Sequence, residues 1–152
     1  MKIASVLLLL SVIFPIANKQ LSAQDPTDYG TAYENAQATD RPLLVLVTAE
    51  WCPPCQRMKS TTIPELMARD AFGGFHFAAV DYDQENELAR DLIGDRGVPQ
   101  LLMFEKHEGR WIRRYITGYK TAATVEAFIA QANVPTRTAS SENSVETRQS
   151  EK

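Results

Sequence analysis

Cys52 and Cys55 are the only cysteines in the 152 residues, and they stand two apart in the run Glu50-Trp51-Cys52-Pro53-Pro54-Cys55. That pattern has a chemical use. A thiolate attacks disulfides, and a second thiol close by can displace the first from a mixed disulfide, so two cysteines at this spacing can cycle between dithiol and disulfide. A helix beginning at Pro53 would make Cys52 its N-cap and bring Cys55 over the same end. The unpaired N–H groups and the positive end of the helix dipole then favour a thiolate at Cys52. Cys52 becomes the nucleophile and Cys55 the resolving thiol. Pro53 suits the first helical position, which needs no N–H and has the φ that proline already holds. Zinc is the rival chemistry for such a pair, but it takes four ligands. His76 and His107 would have to supply the other two, and spacing places neither beside the cysteines.

Residues 43–47 form the apolar run before the pair, and Gly97-Val98-Pro99 follows it downstream. With Trp51-Cys52-Pro53-Pro54-Cys55, these features resemble the thioredoxin superfamily over about residues 28–133. The segment from Arg41 to Cys52 looks most like the exported thioredoxin-like domains of bacteria. Copper-delivery members of that superfamily space their cysteines by three residues, and this chain departs from them. The resemblance implies an α/β thioredoxin-like fold, with a central four-stranded mixed sheet flanked by helices on both faces. It also implies that Pro99 is the cis-proline facing the cysteines, leaving the Val98 backbone free to pair with an incoming chain. Trp51 and Gly118, with Tyr119 beside the latter, match positions framing the docking groove. The plainer readings are a packing tryptophan, a strand-opening proline and a strand-end glycine.

Two departures bear on mechanism. The family's buried acid beneath the resolving cysteine, and the lysine near it, correspond here to Leu46 and Ala79, a joint swap toward an apolar core. The proton of Cys55 then has to go to water or another group. Glu50 is the nearest candidate for proton transfer, although a solvated charge at a strand end would look the same.

The elements that must position these residues read in the order α-β-α-β-α-β-β-α. Residues 26–38 carry Tyr29, Ala32, Tyr33 and Ala36 on one helical face. Residues 43–48 fit a strand buried on both sides. Residues 56–61 continue the active-site helix until Thr62-Ile63-Pro64 interrupts it, and residues 64–71 form a second piece. A strand spans 75–82, and a helix spans 83–93 with Leu88, Leu92 and Ile93 inward, ended by Gly94. Strands at 100–104 and 111–116 meet across a turn at His107-Glu108-Gly109, Gly118 closes the second, and residues 121–132 form a last helix. No extra N-terminal strand is legible, although the superfamily often has one.

The ends read differently. Lys2, the apolar residues 3–16 and the small residues before Gln24 predict a signal peptide over 1–23, too short and too interrupted by Pro15 for the ~18–20 residues of a membrane span. The domain then covers 24–135, and 136–152 reads as a disordered tail. Losing Lys2 and Lys19 takes the formal charge from −3 to −5, and no basic cluster is present, so nothing supports nucleic acid as a partner. A small exported domain stapled by disulfides usually carries more cysteines, so one close pair reads as a redox centre. The expected function is an exported, periplasmic or secreted thiol–disulfide oxidoreductase reducing protein disulfides. A membrane-bound thiol reductase would supply its electrons, and no organic cofactor or metal is called for. The alternative is a peptide-binding module of the same fold with little redox turnover.

Overall fold

The computed structural model describes residues 26–132, so the expected signal peptide over 1–23 and the expected tail over 136–152 lie outside the described residues. Asp28 caps the first helix, α1 (Tyr29–Thr39), by accepting the Thr31 N–H at 2.9 Å through Oδ1. The helix therefore starts three residues later than its apolar pattern suggests. Thr27 is extended instead, and its N–H donates to Phe77 O at 3.0 Å. This single bridge, Thr27 with Ala78, is all that represents an extra N-terminal strand among the described residues.

Strand β1 (Leu43–Thr48) is buried along its whole length. It lies between β2 (His76–Asp81), which runs parallel to it, and β3 (Gln100–His107), which runs antiparallel. β4 (Arg110–Thr117) pairs antiparallel with β3 at the edge, giving the order β2-β1-β3-β4. The alternation of β1 divides the core. Leu44 and Leu46 join Met58, Leu66, Phe72 and Phe128 on one face, while Leu43, Val45 and Val47 meet Ala32, Ala36, Leu92 and Ile93 on the other. Tyr33 of the expected α1 stripe stays exposed and stacks on Tyr29, with ring centroids 5.9 Å apart.

The active-site helix does not break where the sequence suggests. α2 (Pro53–Arg57) runs through a wider π turn (Met58–Thr62) into α3 (Ile63–Ala68). The Ile63 N–H donates back to Met58 O, five residues earlier, and this wider turn accommodates the proline ring and missing N–H of Pro64 without ending the helix. Thr62 Oγ1 donates to Lys120 O at 2.9 Å, tying the turn to the segment after Gly118. α4 (Asn86–Ile93) also starts late, because residues 82–85 form a turn. Leu92 and Ile93 are buried as expected and Leu88 is half-buried. α5 (Ala122–Ile129) is capped by Thr121, whose Oγ1 accepts the Thr124 N–H at 3.3 Å.

β3 continues three residues past its expected end at Phe104. Glu105-Lys106 lies past the expected strand end, yet Glu105 is buried in the strand and takes an ion pair from Arg114 of β4.

Candidate active site around Cys52 and Cys55

The site forms where β1 ends and α2 begins. Cys52 has an extended backbone (φ −102°, ψ 103°) and is the N-cap, as its sequence position predicts. Cys52 and Cys55 form a disulfide with their Cα atoms 5.2 Å apart. Pro53 and Pro54 carry no N–H, so the first free amide is that of Cys55, which donates to Cys52 Sγ at 3.2 Å. In the reduced form this bond and the helix end both stabilise a thiolate on Cys52. Cys55 is completely buried, while Cys52 keeps 3% exposure, so an incoming disulfide meets Cys52 first.

Ala49, Tyr82 and Val98 pack around the pair. The Val98–Pro99 peptide is cis. The Val98 carbonyl oxygen lies 3.6 Å from Cys52 Sγ, where a reduced Cys52 can donate its S–H. Gly118 follows β4 with φ +80°, a conformation that favours glycine, and its N–H donates to Pro99 O at 2.8 Å. Among the described residues, nothing lies within 4 Å of where a Gly118 Cβ would stand. The fold thus brings Trp51, Val98, Pro99 and Gly118 around the cysteines. Tyr119 instead packs on the core and under the Arg57 guanidinium, 5.1 Å from its ring centroid.

Trp51 is 67% exposed, but its position is fixed from below. Its Nε1–H donates to Asp83 Oδ1 at 2.9 Å, and the Glu50 N–H donates to Asp83 Oδ2 at 3.0 Å. Asp83 itself is held by donating its N–H to Asp81 Oδ1 at 2.9 Å. The sequence reading missed this residue, and the signal available was Asp81-Tyr82-Asp83 straight after a strand, a pattern suited to an Asx turn. Asp83→Ala is expected to cost about 1–2 kcal/mol, since two hydrogen bonds to a carboxylate disappear at an exposed site. It should also lower kcat/KM for a protein disulfide. Urea unfolding with an unchanged slope, beside the kinetics, checks both; a variant of wild-type stability would mean that the clamp does not hold Trp51.

Glu50 is exposed, whereas Cys55 is wholly buried. Its backbone makes the local contacts, accepting from Gln56 Nε2 at 3.1 Å as well as donating to Asp83. The expected joint swap to an apolar core holds at Leu46, which is 2% exposed, and fails at Ala79, which is exposed. β2 is an edge strand, and the short alanine leaves a cleft of about 310 Å³ open between it and α3, with Lys59 and Asp81 among its walls.

The histidines lie at the other end of the sheet. His76 pairs in register with Leu43, the full length of β1 (roughly 16 Å) from the cysteines. His107 is the last residue of β3, beyond the partner of Leu43. Thr39 Oγ1 donates to Asn35 O, so it accepts from His76 Nε2–H at 2.8 Å. Burial, and then the charge of Arg41, holds the His76 pKa below its ordinary 6.5. The unfolded chain therefore binds that proton more readily. The stability contribution is full above about pH 6.5 and is lost as pH falls through the lower folded value. Between about pH 7 and pH 5, His76→Gln should show a shallower fall in urea midpoint than the wild type. Parallel falls would contradict the assignment.

Comparison with known proteins agrees with this geometry. The family model described as thioredoxin-like matches residues 23–106. A thioredoxin of Aspergillus fumigatus is 27% identical over 106 residues, covering 68% of this chain and 93% of that protein. The solution structure of a thioredoxin from Thermus thermophilus superposes with a TM-score of 0.59 at 26% identity, covering 68% of this chain and 82% of that one. The Trichomonas vaginalis thioredoxin, at 22% identity and a TM-score of 0.52, covers 70% and 92% and shares the fold.

Proposed function

The chain belongs to the thioredoxin-like family, and from that premise we propose that it is an exported thiol–disulfide oxidoreductase that reduces protein disulfides. The observation that carries the reading is the Cys52–Cys55 disulfide at a helix N-terminus, beside the Val98 carbonyl. In the reduced protein the Cys52 thiolate attacks one sulfur of a partner disulfide. The partner's S–S bond breaks, its first thiolate leaves, and a mixed disulfide forms. Cys55 gives up its proton and attacks Cys52 Sγ, expelling the second partner thiolate. Two electrons have passed to the partner, which takes up two protons, and the Cys52–Cys55 disulfide remains. During the mixed-disulfide stage the partner backbone pairs with Val98 beside Pro99, against Trp51 and Gly118.

With Leu46 standing where the family carries its buried acid, the Cys55 proton passes to water, and Glu50 is left as a surface charge. Export rests on the leader pattern of residues 1–23, and an exported reductant needs a membrane-bound thiol reductase to return it to the dithiol.

The test is the reduction potential of the pair in glutathione or dithiothreitol buffers, run beside insulin reduction. A value near about −270 mV together with turnover supports a reductant. A value near about −120 mV would reverse the direction, and the absence of a reversible two-electron transition would replace the enzyme by a binding module.

A further inference from the structure

We propose that the cleft next to Cys52 receives an acidic stretch of the partner protein, so that disulfides flanked by Asp or Glu are the preferred substrates. This rests on the redox reading above. The cleft has a volume of about 390 Å³ and runs from Trp51 and Val98 at the cysteines to Arg90 and Arg96. Both arginines are held by neutral groups. Arg90 Nε donates to the Tyr82 hydroxyl at 3.3 Å, and Tyr82 itself packs against the cysteine pair. Arg96 donates to Ile93 O at 3.1 Å, and its guanidinium lies 4.4 Å from the ring centroid of Tyr115. The carboxylate ion pairs among the described residues go to Arg69, Lys106 and Arg114 instead.

Two positioned guanidinium groups therefore face one cleft carboxylate, Asp95, in a chain whose formal charge is −3. Glu87 acts on Arg90 only through space. The floor between them is open backbone, since nothing among the described residues lies within 4 Å of where a Cβ would stand on Gly94 or Gly97. An extended chain paired with Val98 would continue along this floor. Its side chains next to the attacked cysteine would then reach the arginines. Preplaced guanidinium groups bind carboxylates with little further ordering, and exposed charges of this kind govern encounter and selectivity.

Three short synthetic disulfide peptides test the proposal, identical except for Glu, Gln or Lys beside the cysteine, with dithiothreitol as reductant and the full chain as enzyme. The wild type should show its highest kcat/KM with the Glu peptide, by a margin that shrinks as salt is added. In Arg90→Gln/Arg96→Gln, the Glu-over-Gln ratio should fall about tenfold at low salt. Arg90→Glu/Arg96→Glu should turn the preference toward the Lys peptide. The ratio separates docking from any effect of the arginines on the Cys52 thiolate, which would act on all three peptides alike. Equal ratios in wild type and Gln variant, with turnover intact, overturn this proposal and leave the redox reading standing. If the wild type turns over none of the peptides, the redox reading falls and the proposal goes with it.

Discussion

Cys52→Ser is expected to reduce insulin turnover to background, while Cys55→Ser accumulates a covalent adduct with the substrate. A serine hydroxyl in place of Cys52 is not ionised near neutral pH and cannot open a disulfide, whatever surrounds it. Cys55→Ser leaves the attacking sulfur, its N-cap position and the Val98 carbonyl beside it in place. It removes only the second step, so the mixed disulfide has no internal thiol to resolve it. Intact-protein mass spectrometry reads the adduct directly. Both variants lose the native disulfide, and closing so short a loop is worth roughly 2 kcal/mol in the chain-entropy estimate. Circular dichroism must therefore show that each variant is folded at the assay temperature. Adduct formation by Cys52→Ser and not by Cys55→Ser would exchange the two roles.

Arg114→Met is expected to be strongly destabilising. Glu105 and Arg114 form an ion pair between β3 and β4, with the Glu105 side chain 4% exposed and Arg114 33% exposed. The same guanidinium donates to Gln131 O at 2.6 Å, just past α5, so one side chain joins the sheet to the final helix. Removing the cation beside a buried carboxylate typically costs about 3–5 kcal/mol, because the desolvation of the charge is then offset by less. At roughly 4–8 °C per kcal/mol for a domain of this size, the melting temperature should fall by more than about 10 °C. Glu105→Leu/Arg114→Met should recover most of that, since a buried pair by itself contributes little net stability. Thermal and urea unfolding of both variants check the claim. A cost below about 0.5 kcal/mol for the single change would mean that Glu105 is not desolvated in solution.

The order of elements and the redox pair are legible in the residues alone. Strand β1 was legible because a strand covered on both faces must be apolar throughout. The Cys52 cap was legible because Pro53 can open a helix, needing no N–H and already holding a helical φ. These are local constraints, and local constraints leave marks on adjacent residues. Tertiary contact decided the rest. Pro64 reads as a helix breaker, but the π turn before it keeps the helix whole. Glu105 falls past the strand that the sequence suggests, but Arg114 lies across the strand pair and makes its burial tolerable. Ala79 reads as core, but β2 is at an edge, which only the strand order reveals. Asp83 holds Trp51 across 32 positions of chain, and Val98 meets Cys52 across 46. For Asp83 and Val98 the energy depends on a partner distant in sequence, and no short residue window contains both partners.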